Sequence, residues 1–206
     1  MSKEIKDSEL FIGSNIRVIS RSDRNVGEHG GVLIAAQSNL PPIFDLSNEQ
    51  YPFTVACALV TFASVSFYIL LCQPPSSSSY RVPATLVHES IAEYQSIFTT
   101  FCQKHNLNSN FNLFVLGDFN MPDVDWSISH SPHSTDNVIL NTLFDSGLQQ
   151  MIDVPTHNDG NTLDLIFCNL ENLSFTVSHP RFSDHHPVIF QAQHSICNEA
   201  ASFGES

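Results

Sequence analysis

Apolar positions along the 206-residue chain fall mostly in short runs, not in long helical stripes. Runs at 16–20, 31–36, 53–60, 66–72, 112–116, 162–167, 174–177 and 187–191 are mostly β-branched or aromatic and are bounded by Gly, Pro, Asn or Ser, the signature of strands. Two stretches carry a helical period instead. Over 84–105, Val87, Ile91, Tyr94, Phe98 and Phe101 form one apolar stripe, with Pro83 near the start, where its missing N–H costs little. Over 137–146, Val138, Ile139, Leu140, Leu143 and Phe144 cluster, Asp136 stands where an N-cap belongs, and Gly147 is placed to end the helix. Many strands with two helices between them predict an α/β (α+β) sandwich, with sheets inside and helices outside.

One run has two readings. From Phe53 to Cys72 no residue is charged, which is long enough to span a bilayer. The same segment is rich in Val, Thr, Phe, Tyr and Ser, breaks at Ala63-Ser64 and closes on Pro74-Pro75, so two buried strands joined by a tight turn account for it as well. The Pro/Ser stretch "QPPSSSSY" reads as a loop within one domain, because the core pattern resumes directly after it. Beyond His194 periodicity is lost, and 194–206 is expected to be a disordered tail.

Charge narrows the function classes. Net charge is −13, with only eight Lys and Arg, which works against a grip on phosphate backbones. The five scattered cysteines include no C-x-x-C pair and fit reduced, intracellular thiols better than a disulfide framework. The polar start "MSKEIKDSEL" has no signal-peptide apolar core.

The candidate chemistry sits where apolar runs are interrupted. "NLFVLGDFN" ends a buried strand at Gly117 and delivers Asp118 and Asn120 at once. Either the two build a site at the sheet edge or they only close an Asx turn. "GNTLDLIFCN" sets Asp164 between Leu163 and Leu165 inside an apolar strand, where an acid must be paired. "RFSDHHPVIF" sets Asp184, His185 and His186 directly before another apolar strand. A carboxylate beside an imidazole fixes its tautomer and charge.

"GDFN", "TLDLIF" and "SDHHP", in that order, resemble the endonuclease/exonuclease/phosphatase superfamily, and specifically the apurinic-like endonuclease domain of non-LTR (LINE-type) retrotransposons. "GEHGGVLIA", "QPPSSSS", "VPTHNDGNTLDLIFCN" and "DSELF" support the match, which runs over about 7–193. The resemblance implies a four-layer sandwich of two mainly antiparallel sheets flanked by helices. It also implies magnesium- or manganese-dependent hydrolysis of a DNA phosphodiester in the cytoplasm or nucleus.

By motif, Asp118 would orient or deprotonate the attacking water and Asn120 would hold Asp118 and the phosphate. Asp184 would reach the metal shell or the leaving side, and Asp118 and Asp184 are the metal ligands it suggests. His185 would stabilise phosphate charge, kept oriented and protonated by Asp164.

The resemblance has gaps. Family members open with an Asn-bearing strand and a second strand ending in a metal-binding Glu, whereas this chain resembles the segment just after that Glu; Glu4 and Glu9 end no apolar strand. The fold is thus expected to be incomplete at the N-terminus, with weak metal binding and an unpaired sheet edge. At least one of the converging acids should have a raised pKa. The family Tyr that contacts phosphate is replaced by Cys72, and Tyr68 lies four residues too early. No reverse transcriptase is fused within this chain. The alternative is a catalytically inactive, retrotransposon-derived interaction module.

Overall fold

The computed structural model describes residues 11, 13–23, 31–40, 43–46, 54–62, 65–73, 92, 95–96, 98–103, 112–171, 173–178 and 183–192. Its strands are β1 (Ile16–Asp23), β2 (Gly31–Gln37), β3 (Ile43–Asp45), β4 (Thr54–Phe62), β5 (Val65–Gln73), β6 (Asn112–Asp118), β7 (Gln149–Gln150), β8 (Asp164–Cys168), β9 (Leu173–Val177) and β10 (Val188–Ala192). Helix α1 spans Ser134–Asp145, and residues 98–103 are also helical. Every run predicted as strand is a strand, with shifted ends. The sequence reading missed β3 and β7, which are too short to carry an alternation. Of the first predicted helix, Phe98 and Phe101 are helical and buried, whereas Val87, Ile91 and Tyr94 lie outside the described residues. So do Glu4, Glu9 and 194–206.

The uncharged run from 53 to 72 is a hairpin. β4 and β5 pair antiparallel from Thr54↔Gln73 to Phe62↔Val65. Among the described residues no helix is long and apolar enough to cross a membrane. The hairpin forms part of a six-stranded sheet in the order β3-β4-β5-β6-β8-β7, in which only β5–β6 is parallel.

Alternation along the strands assigns the two faces of that sheet. Leu113, Val115, Leu165 and Phe167 pack with Phe98, Phe101, Ile139, Leu140 and Leu143 in the helical layer. Phe114, Ile166 and Cys168 turn the other way and meet Leu173, Phe175, Val188 and Phe190 of β9 and β10. Among the described residues, the second layer consists of two antiparallel ribbons, β1–β2 and β9–β10. The first lies over β3, β4 and β5. The architecture is an α/β sandwich of mainly antiparallel sheets.

Helix α1 corrects one expectation. Its N-cap is His133, with no side-chain cap, not Asp136. Apolar periodicity marks a buried stripe but not the first turn, and the helix starts a turn earlier than the stripe. Asp136 is instead fully buried and accepts the Ser131 hydroxyl proton at 2.9 Å. Asn137 braces the segment ahead of the helix: its Oδ1 accepts the Ser131 N–H at 2.8 Å and its Nδ2 donates to the Ser131 carbonyl at 2.7 Å. Replacing Asp136 by alanine orphans a buried hydroxyl. It is expected to destabilise the fold by about 1–3 kcal/mol in urea unfolding. At the other end Gly147 terminates the helix as predicted. Its φ of 79° is left-handed, its N–H donates to the Phe144 carbonyl at 2.9 Å, and Leu148 N–H reaches the Leu143 carbonyl at 3.2 Å.

Candidate active site

β6 and β8 carry the acids to one end of the six-stranded sheet. Asp118 continues the Phe114/Leu116 side of β6, and Asp164 the Ile166/Cys168 side of β8, so both belong to the face that meets the ribbons. The antiparallel register sets Asp118 directly opposite Asp164, and Phe119 N–H to the Leu163 carbonyl, at 2.9 Å, extends the ladder past them. Asp164 is thus the first residue of β8, not an interior one as its apolar neighbours suggested. Like charges opposed across a ladder are unfavourable. Relief comes from the loop before β10, where His185 Nδ1 lies 2.7 Å from Asp164 Oδ2. The imidazole donates that proton to the carboxylate, which fixes the tautomer and leaves Nε2 as the ring's remaining polar atom.

The titration of these groups follows from their surroundings. Burial pushes the Asp118 carboxyl above its ordinary 3.8, and the Asp164 charge adds to the rise; His185, the Asn120 N–H and His157 oppose it without cancelling it. This is the raised acid expected from convergence, although burial outranks repulsion as its cause. For His185, burial alone would lower the pKa. The hydrogen bond and charge of Asp164, with the charges of Asp118 and Asp184, outweigh it and hold the imidazole above its ordinary 6.5. Exposed Asp184 is held below 3.8, first by its own backbone N–H and then by His157.

The Asx turn does form after β6. Asn120 N–H donates to Asp118 Oδ1 at 3.0 Å, and Asn120 adopts a φ of 49°, which its short polar side chain tolerates. The turn restrains the Asp118 carboxylate at the position opposite Asp164. His186 bonds Asn158 Oδ1 through Nε2 at 3.0 Å.

Two residues that sequence reasoning did not single out complete the constellation. The loops 156–158 and 184–186 zip together: Asn158 N–H donates to the Asp184 carbonyl at 2.9 Å and His186 N–H to the Thr156 carbonyl at 2.7 Å. This sets the His157 ring edge-on to His185, with centroids 5.0 Å apart, and its Nε2 3.4 Å from Asp184 Oδ2. Fully buried Thr156 holds the other side. Its hydroxyl oxygen accepts the N–H groups of both Leu163 and Asp164, each at 2.9 Å. The only sequence signal for either was "PTHNDGNTLD", a polar loop leading straight into an acid-bearing strand.

Tyr68 sits on β5 and packs edge-on against Phe101 at 6.3 Å in the helical layer, so it belongs to the face away from the acids. That explains in space why it cannot stand in for the phosphate-contacting Tyr. The described cysteines Cys57, Cys102 and Cys168 are free, and burial pushes the Cys57 thiol up to about 12, where it is inert.

Asp118, Asp164 and His185 line one end of a groove of about 600 Å³. Among the described residues, the group whose donor atoms converge within 4.8 Å is His157, Asp184 and His185; Asp118 is not part of it. The His157 Nδ1 accepts the Asp159 N–H at 3.2 Å, so in the neutral ring the proton sits on Nε2 and faces Asp184. His157 therefore orients Asp184 more readily than it offers a lone pair to a cation. The oxygen donors left are the carboxylates of Asp184 and Asp118. Oxygen donors of this kind suit a hard cation such as Mg²⁺, which keeps several waters and takes one or two carboxylates plus phosphate oxygens, although the Asp118 carboxylate stands outside the converging group.

Residues 75–189, more than half of the chain, match the family described as endonuclease-reverse transcriptase, and the chain belongs to that family. Its fold is that of endonuclease/exonuclease/phosphatase proteins. It is similar to a family member of that name from Leptotrichia buccalis C-1013-b, at 11% identity over 88% of this chain and 72% of that one, with a TM-score of 0.52. It is also similar to the human nocturnin catalytic domain with bound sulfate, at 13% identity over 86% of this chain and 73% of that one, TM-score 0.50. Likeness to Staphylococcus aureus beta toxin is weaker, with TM-score 0.49 and 14% identity over 68% of this chain, which spans only 57% of the toxin chain. No curated protein matches the chain.

Proposed function

We propose that the chain is a metal-dependent phosphodiesterase of endonuclease type, acting on DNA as part of a retrotransposon-derived protein. The observation that carries this reading is the convergence of Asp118, Asp164 and His185, in which a cationic imidazole is held by one carboxylate beside a second carboxylate of raised pKa. Phosphoryl transfer needs positioning and neutralisation of charge more than covalent help. Asp118, restrained by the Asn120 N–H, orients the attacking water and takes its proton. His185, kept protonated by Asp164, binds the phosphoryl oxygens as negative charge builds. Asp184 and Asp118 would hold Mg²⁺ or Mn²⁺, which would polarise the phosphodiester.

Nicking of supercoiled plasmid tests the reading. Cleavage should require Mg²⁺ or Mn²⁺ and stop on chelation. Well-folded protein that nicks at no metal concentration would sink the proposal.

A second reading, a catalytically inactive interaction module, is favoured by one observation. A net charge of −13 repels the DNA backbone. It expects divalent-metal affinity unchanged by Asp118→Asn and Asp184→Asn, read by isothermal titration.

A further inference from the structure

The converging group of His157, Asp184 and His185 does not have the donor set of a magnesium site. Two of its three donors are imidazoles, which suit a borderline ion such as Zn²⁺. Backbone pairing holds the rings together: His157 and His185 form an isolated antiparallel bridge between their loops, with ring centroids 5.0 Å apart. The His157 side chain is only 13% exposed, whereas that of Asp184 is 69% exposed and can turn toward a shared ion. His157 Nε2 and Asp184 Oδ2 stand 3.4 Å apart, long for a charge-assisted hydrogen bond. Two ligands bound tetrahedrally at about 2.0–2.1 Å lie roughly 3.3–3.4 Å from each other, which matches that spacing.

Each ring also has a carboxylate behind it. His185 Nδ1 donates to Asp164 Oδ2 at 2.7 Å, and His157 Nδ1 lies 3.5 Å from Asp159 Oδ2. A metal-bound imidazole donates its other ring N–H to such an acceptor, which fixes tautomer and orientation. The proton that His157 turns to Asp184 can move to Nδ1 and face Asp159, leaving the Nε2 lone pair for the ion. The Asp159 N–H that Nδ1 then releases is exposed and turns to water.

We infer that His157, Asp184 and His185 form a Zn²⁺ site, with Asp159 and Asp164 as the carboxylates that orient its two imidazoles. Three protein ligands leave a fourth position to water. The effect on cleavage rests on the phosphodiesterase reading: the ion takes Asp184 and displaces the His185 Nε2 proton, so Zn²⁺ opposes the Mg²⁺-dependent reaction. The binding itself does not rest on it.

Isothermal titration of Zn²⁺ into the chelator-treated full chain tests the site, with Co²⁺ absorption as a second readout. Loss of an orienting partner alone costs about 10–100-fold in metal affinity, so loss of a ligand in His157→Gln or Asp184→Asn should weaken binding at least about 10-fold. Asp184 is exposed, so its variant carries the test if His157→Gln fails to fold. Asp118→Asn lies outside the group and should leave the affinity unchanged. So should His133→Gln, which removes a His–carboxylate pair that has Asp123 at 3.0 Å and no third donor among the described residues. Unchanged affinity in Asp184→Asn, or an equal loss in His133→Gln, overturns the inference. So does a thiolate charge-transfer band with Co²⁺, which would place the ion on a cysteine. Zn²⁺ bound with the expected ligand dependence by a chain that nicks no DNA would count against the phosphodiesterase reading and leave this site standing.

Discussion

Replacing His185 by alanine should lower metal-dependent plasmid nicking by about 10²–10³-fold, the range found when a pre-positioned donor to developing charge is removed. The neighbouring His186 is the internal control. Its Nε2 is engaged by Asn158 at 3.0 Å, while His185 faces Asp164 at 2.7 Å. Adjacent in sequence, the two rings serve different partners, so His186→Ala should cost less than tenfold. Equal losses in the two variants would mean that the loop, not the His185 charge, is what cleavage needs.

Removing the Thr156 hydroxyl has the largest expected effect on stability. Thr156→Val keeps the shape of the side chain but leaves the Leu163 and Asp164 N–H groups without their acceptor. Two orphaned donors at about 1–3 kcal/mol each predict a loss of at least about 2 kcal/mol. Thr156→Ser keeps the oxygen and should lose only about 1 kcal/mol for the missing methyl. Urea unfolding of the pair separates lost hydrogen bonding from lost packing; similar losses in both would assign the effect to packing.

The legible parts of the molecule were those in which chemistry breaks a pattern. Asp118 ends an apolar run, Asp164 intrudes on one and His185 precedes one, so each was visible as an interruption whose tolerance demanded a partner. The hairpin β4–β5 was legible as one of two readings, and only pairing could decide between them. Thr156 and His157 were not legible, because they act through a loop–loop bridge to 184–186, and no periodicity encodes which loops meet. Asp136 misled for a related reason. An acid ahead of an apolar helical stripe has the look of a cap, but the helix extends a turn further and draws it into the core beside Ser131. The division of the second layer into two ribbons follows from long-range pairing alone.

The pH dependence of nicking, compared between the wild type and Asp164→Asn, tests the central claim most directly. The wild type should give a bell. Its acid limb follows deprotonation of Asp118 above 3.8 and its basic limb follows loss of the His185 proton above 6.5. Asp164 raises both pKa values, so Asp164→Asn should move both limbs to lower pH and reduce the maximum. A variant profile that overlays that of the wild type would contradict the account, because Asp118, Asp164 and His185 would then not share one electrostatic site.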